Sequence, residues 1–291
     1  MNQTIKFLTD VRDRLEYIDY DLIYQSIAEM KDKFVPTAKI NKGWYIDRVR
    51  VHKNLDEVFK KEEDISYIHD QDKIDKYVTY GRANADKQAI FYGAVETDEI
   101  KHPRIVAYFE TSDILRELEK HENIVEHFTV SRWTVLEDIE VIEMIFSDEA
   151  LKKSTSTRRS FEHQLQHYSD LPSAQEYADQ GTFFSNEFAR TDVKKGESYK
   201  YKITSAYANY IWNKTSIMGI TYPSVQSDFK GQNIALLPDA VDKYLKLETV
   251  GLFKFERING NNLPVDSIKI VTDFGEQNSN FTWIDYKGAE H

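Results

Sequence analysis

Gly219-Ile220-Thr221-Tyr222-Pro223-Ser224-Val225, followed by Gly231-Gln232-Asn233-Ile234-Ala235-Leu236-Leu237, is the stretch around which the chain is organised. It reads as a short apolar strand, a break marked by Pro223, one exposed serine, a polar loop and a second apolar strand. A hydroxyl held between two buried strands is a place to bind a ligand. A two-strand core element with an ordinary turn is the plain alternative.

Upstream of that stretch, Tyr201 to Asn213 reads as a helix leading into it. Residues 151 to 185 are polar and helix-rich, and carry His163 and His167 four apart. That spacing can bind zinc, but no HExxH pattern or third ligand accompanies it, so a surface pair is expected. Phe128 to Trp133 and Ile139 to Phe146 read as strands. So does Ala89 to Val95, which follows the loop Tyr80-Gly81-Arg82-Ala83-Asn84.

The run Ile105-Val106-Ala107-Tyr108-Phe109-Glu110 is apolar and ends in a carboxylate. Residues 53 to 76 are highly charged and read as an exposed, partly helical excursion. Trp44 to Val51 alternates apolar and polar residues, which predicts a strand with Arg48 and Arg50 on one face. Residues 4 to 34 carry Leu8, Val11, Leu15, Ile18, Leu22 and Ile23 at helical spacing, with Asp19 and Asp21 marking a break and Pro36 a stop. Beyond residue 245, Leu247 to Ile258 and Ile268 to Thr272 read as sheet.

The 291 residues are 41% hydrophobic and 30% charged, which predicts a soluble globular chain with a substantial core. No apolar run is long enough to cross a bilayer, and residues 1 to 10 lack a secretory apolar core. There is no cysteine, so neither disulfides nor thiolate-bound metal hold the fold. These features point to the cytoplasm and away from a membrane. A formal net charge of -11 opposes binding along a nucleic-acid backbone, yet leaves room for one small basic pocket. The 18 Tyr and 16 Phe are mainly core, and some suit a pocket for flat rings.

Four elements follow one another in order: Arg48 on a strand, Gly81-Arg82-Ala83-Asn84 before a Phe-Tyr-Gly-Ala strand, Glu110, and Tyr222-Pro223-Ser224. This order resembles the RES domain family, named for its Arg, Glu and Ser, many members of which are NAD-degrading toxins of bacterial toxin–antitoxin pairs. The resemblance covers roughly residues 44 to 245 and is densest at 80 to 95 and 218 to 237. The family's first Arg falls on Arg48, with Asp47 and not an aromatic residue before it, so Arg50 stays an alternative. Its Gly-Arg-x-Asn and following Tyr fall on Gly81, Arg82, Asn84 and Tyr92. Its Glu falls on Glu110 after a long gap, which keeps Glu96 and Glu99 open. Its Ser element and downstream Asn fall on Tyr222, Pro223, Ser224 and Asn233.

The resemblance implies an α+β fold of the ADP-ribosyltransferase-like kind, with residues 1–40 as a helical extension and 41–291 as the RES-like domain, interrupted by a helical insertion at about 150–195. It implies that NAD is the substrate, that no cofactor or metal is needed, and that an antitoxin protein is the partner. Glu110, Arg48 and Ser224 are then the catalytic set. Arg82, Asn84, Tyr92, Tyr222, Asn233 and Arg50 are substrate-binding. The residue types suit cleavage of the nicotinamide bond, which builds positive charge on the ribose. A carboxylate stabilises that charge, and guanidinium groups grip a pyrophosphate. Transfer of ADP-ribose to a macromolecule, or nucleotide or partner binding without turnover, are the rival readings.

Overall fold

A computed structural model describes residues 2–53, 58–275 and 280–287. Its sheet contains β1 (Thr37–Ile40), β2 (Tyr45–Val51), β3 (Phe91–Val95), β4 (Ile124–Val135), β5 (Ile139–Glu143), β6 (Gly219–Pro223), β7 (Gln232–Leu236), β8 (Leu245–Ile258), β9 (Asn261–Asn262), β10 (Asp266–Asp273) and β11 (Thr282–Asp285). The order across the sheet is β1-β5-β6-β7-β3-β2-β4-β8-β10-β11, with β9 paired to β8. Among the described strands only the β5–β6 pair is parallel, so the architecture is mixed α/β with a mixed sheet.

The opening stretch forms an antiparallel pair. β6 and β7 register Tyr222 against Asn233, and β7 registers Asn233 against Ala94 of β3. Both strands are almost fully buried, which is why they read as continuous apolar runs and do not alternate. β2 does alternate: Ile46, Arg48 and Arg50 share one face, and Asp47, Val49 and Val51 the other. β2 lies along β4 through seven registered positions, yet registers with β3 only at Asp47–Ala94.

The run ending in Glu110 is helical. The helix Pro103–Thr111 starts with proline at its first turn and buries Val106, Ala107 and Tyr108. The Asp47 carboxylate accepts from the Arg104 amide at 3.0 Å, which ties the helix start to β2. The other helices divide between two jobs. Gln3–Val11 and Tyr20–Glu29, separated at Asp19, which caps the second, share one apolar cluster with Lys202–Lys214 through Leu8, Ile23, Ile27, Ile203 and Tyr207. Within the segment 1–40, β1 extends the sheet by pairing with β5. Asp148–Lys153, Thr155–Tyr168 and Ala174–Phe188 make up the polar 150–195 segment, and Phe184 and Phe188 join the same cluster.

Some bounds differ from the sequence reading. β4 starts at Ile124 and continues through Val135 because β8 pairs with it over its whole length. β5 stops at Glu143, and the following Met144, Ile145 and Phe146 are buried without joining the strand. Within the charged 53–76 region, Glu62–Ile65 and Gln71–Tyr77 are short helices, and residues 54–57 lie outside the described residues. No described helix is long and apolar enough to cross a membrane.

Candidate functional site

A cleft of about 590 Å³ lies where β2 and β3 part. It is lined from β2 by Arg48 to Val51, from β3 by Tyr92 and Gly93, from the helix Pro103–Thr111 by Ala107, Glu110 and Thr111, and from β6 and β7 by Tyr222 and Asn233. Arg82, Phe59 and Tyr201 complete it.

Glu110 sits in the last turn of its helix, and its two oxygens differ. Oε1 accepts from Ser224 Oγ at 2.6 Å and from Asn233 Nδ2 at 2.9 Å. Oε2 has no protein donor among the described residues. Two donors on one oxygen fix the carboxylate plane and leave the other oxygen for the cleft.

Ser224 is wholly buried, where the sequence reading expected an exposed hydroxyl. Its Oγ accepts from the Ser227 amide at 3.2 Å, so its own proton is directed to Glu110. Ser227 Oγ in turn accepts from the Gly231 amide at 2.9 Å. The loop closes through Asp228 and Phe229, both at positive φ, a conformation that costs a non-glycine residue about 1–2 kcal/mol. Nothing in the spacing singles out Ser227, because its role depends on a turn that spacing alone does not display. Gly231 packs so closely on the Glu110 helix that an added Cβ would stand 2.4 Å from Val106 Cγ2.

Three guanidinium groups face the cleft, and none forms an ion pair with a described carboxylate. Arg48 donates through Nη1 to the Tyr92 carbonyl and lies over the Phe91 ring at 5.0 Å. Arg50 donates to the Ser66 carbonyl at 2.6 Å and lies 5.9 Å from the Phe59 ring. The Nε atoms of both are buried with no hydrogen-bond partner. Burial first, and for Arg48 the neighbouring Arg50 as well, lowers both guanidinium pKa values. Arg82 donates to the carbonyls of Phe188 and, at 3.0 Å, Arg190, just past the Ala174–Phe188 helix, and lies over Tyr201 at 5.1 Å. Arg48 and Arg50 are therefore neighbours in the cleft and not exclusive choices.

Asn84 is placed differently from the sequence reading, which made it a ligand contact. It is 5% exposed and does not line the cleft. Its amide donates to the Thr79 and Ala85 carbonyls, each at 2.8 Å, and its Oδ1 accepts from Tyr92 Oη at 2.8 Å. Tyr92 Oη also accepts from the Ala83 amide at 3.1 Å. Asn84 thus locks the 79–85 loop and the Tyr92 ring, and burial pushes the Tyr92 hydroxyl up to about 12. Tyr222 is buried, its ring centre 5.5 Å from Phe188, and burial raises its pKa well above the ordinary value.

Glu96 and Glu99 lie outside the cleft. Glu96 pairs with Lys101 at 3.0 Å on the surface. Glu99 accepts from the Thr155 and Ser156 amides at the start of the Thr155–Tyr168 helix. Burial raises its pKa, but those hydrogen bonds outweigh burial and lower it overall. His163 and His167 are exposed on that helix, with ring centres 4.7 Å apart. Tyr201 and Phe59 are cleft residues that sequence reading missed; neither stands in a motif.

No known family model matches this chain, and no curated protein matches it.

Proposed function

We propose that this protein cleaves NAD at the bond between nicotinamide and ribose, as a RES-like enzyme with an ADP-ribosyltransferase-like fold. The observation that carries this reading is Glu110 in the cleft. It is a carboxylate held on one oxygen by Ser224 and Asn233, with its other oxygen free beside three guanidinium groups that lack carboxylate partners.

Arg48, Arg50 and Arg82 supply the charge and directed N–H groups that a pyrophosphate needs. With the pyrophosphate there, the adjoining ribose is placed near Glu110. The C–N bond breaks and its electron pair leaves with nicotinamide, which departs neutral. Positive charge grows on the ribose carbon, and Glu110 Oε2 stabilises it from a fixed position. Water, phosphate or another nucleophile then bonds to that carbon. When water attacks, Oε2 accepts its proton. Ser224 acts behind Glu110 as a positioning residue, and Tyr92 offers a ring face to the nicotinamide side.

The test is incubation of the full chain with NAD, followed by chromatography of the products with and without phosphate. Free nicotinamide together with ADP-ribose, or with its phosphorylated form when phosphate is present, is expected. Label from NAD appearing on a macromolecule points instead to transfer. Absence of nicotinamide in every arm overturns cleavage.

A further inference from the structure

A second and larger cleft, of about 1040 Å³, lies across the sheet from Glu110. Neighbouring residues of the same strands face the two sides: Tyr222 and Asn233 line the first cleft, Thr221 and Gln232 the second. The second cleft is also bounded by β1, by the start of β2 and by the Thr155–Tyr168 helix.

The charges on its walls are nearly all compensated. Lys101 pairs with Glu96 at 3.0 Å, Arg159 with Asp98 at 2.8 Å, Arg132 with Asp47 at 2.7 Å and Lys39 with Asp138 at 3.9 Å. Glu143 is the exception. It closes β5 opposite Thr221, is 9% exposed, and has no described cation within ion-pair distance. Burial raises its pKa against hydrogen bonds from Ser160 and Gln164 and the nearby His163. At the rim, Trp44 and Tyr45 are 45% and 43% exposed.

We propose that the second cleft binds a small organic cation, an alkyl guanidine or amine, with Glu143 as its counter-ion on the floor and Trp44 and Tyr45 as aromatic faces at the rim. A buried carboxylate without a cation is costly, and a bound cation removes that cost while gaining a charge-assisted hydrogen bond. Thr221, registered opposite Glu143, and Gln232, on the same cleft wall, offer oxygens to accept further N–H groups. The ring of Trp44 suits a cation or its alkyl chain as it enters, and that of Tyr45, with Arg132 already over one face at 5.0 Å, extends the aromatic rim. This inference does not depend on NAD cleavage.

The test is calorimetric titration of the full chain with agmatine, which carries a guanidinium and an ammonium, and with n-butanol as an uncharged control. Agmatine is expected to bind saturably in the millimolar range or tighter, and butanol not to bind. Glu143→Gln keeps the shape and removes the charge, and should weaken agmatine binding by about tenfold or more. Trp44→Ala alters an exposed side chain and should weaken it severalfold. Glu110→Gln should leave agmatine binding unchanged. Absence of saturable agmatine binding, equal binding by Glu143→Gln, equal binding of butanol, or loss of binding in Glu110→Gln would each overturn the proposal.

Discussion

Ser224 donates its hydroxyl proton to Glu110 Oε1 at 2.6 Å, joining two residues 114 positions apart in the chain. The bond links the loop after β6 to the last turn of the Pro103–Thr111 helix. Because the Ser227 amide occupies a lone pair of Ser224, the proton has one direction to go. Ser224→Ala should therefore leave Glu110 held by Asn233 alone. We expect kcat for NAD cleavage to fall by about tenfold to a hundredfold with KM little changed, because orientation at the reacting carbon is what is lost. An unaltered kcat in Ser224→Ala would remove Ser224 from the positioning role.

The arginines carry an opposite expectation for stability and binding. Arg48 and Arg50 are neighbours, desolvated and not ion-paired with a described carboxylate, with Asp64 offsetting the burial of Arg50 only in part, an arrangement that costs folding free energy until an anion arrives. Pyrophosphate should raise Tm, and a ligand at a hundredfold excess over its Kd stabilises by about 2.7 kcal/mol. Arg48→Met fills similar volume without the charge. It should raise the Tm of the free protein and shrink the increase given by pyrophosphate. A lower Tm for free Arg48→Met would show that the charge is already compensated.

Gly81 is confined by the same contacts that hold Tyr92. A Cβ there would lie 2.2 Å from Asn84 Oδ1 and 2.8 Å from Tyr92 Oη. Gly81→Ala should displace the Asn84 amide or break the Tyr92–Asn84 hydrogen bond, at a cost of about 1–3 kcal/mol by overpacking. Thermal unfolding measures it. Asn84→Ala should cost stability through the lost backbone hydrogen bonds yet leave pyrophosphate affinity near that of the parent, since Asn84 does not itself line the cleft.

The strands that carry Arg48, Tyr92, Tyr222 and Asn233 are legible in the sequence because burial writes itself as alternation or as short apolar runs. The Glu110 helix is less so. Its buried positions Pro103, Val106 and Ala107 follow an i, i+3, i+4 pattern, but six consecutive residues are too few for period to separate helix from strand. Ser224 and Asn84 were visible as polar residues in informative places, while their partners were not. A hydroxyl directed at Glu110 and an amide spent on Thr79, Ala85 and Tyr92 are tertiary facts. Tyr201 and Phe59 reach the cleft from segments whose local sequence is ordinary for a surface helix and a loop.

Glu143 predicts a pH dependence. Its folded pKa is raised above 4.5, chiefly by burial, so the folded protein holds a proton that the unfolded chain has released. Stability from this group is thus fully present below the ordinary carboxylate range and declines as pH rises from there through the raised folded value. Glu143→Gln removes that titration. The difference in stability between parent and variant, measured by denaturant unfolding at several pH values, should shift in favour of the variant as pH rises across this window. A difference constant with pH would mean that Glu143 titrates alike in both states.

Binding and chemistry separate at Arg48 and Glu110. Arg48 is assigned to the pyrophosphate, which does not react, so its contacts exist before and during bond breaking and their loss appears mainly in KM. In the proposed reaction Glu110 Oε2 is assigned to the position where charge appears only as nicotinamide leaves, so its loss should appear mainly in kcat. Glu110→Gln is nearly isosteric. It can still accept on one oxygen from Ser224 and Asn233, provided the amide nitrogen turns toward the cleft. That orientation replaces the free carboxylate oxygen with an N–H donor, which repels a developing cation. Glu110→Gln should therefore bind NAD in calorimetry and turn over slower by about 10² to 10³. Arg48→Ala should weaken NAD binding and keep appreciable turnover at saturation. Near-normal kcat in Glu110→Gln, or a loss of kcat alone in Arg48→Ala, would reverse the roles of these two residues.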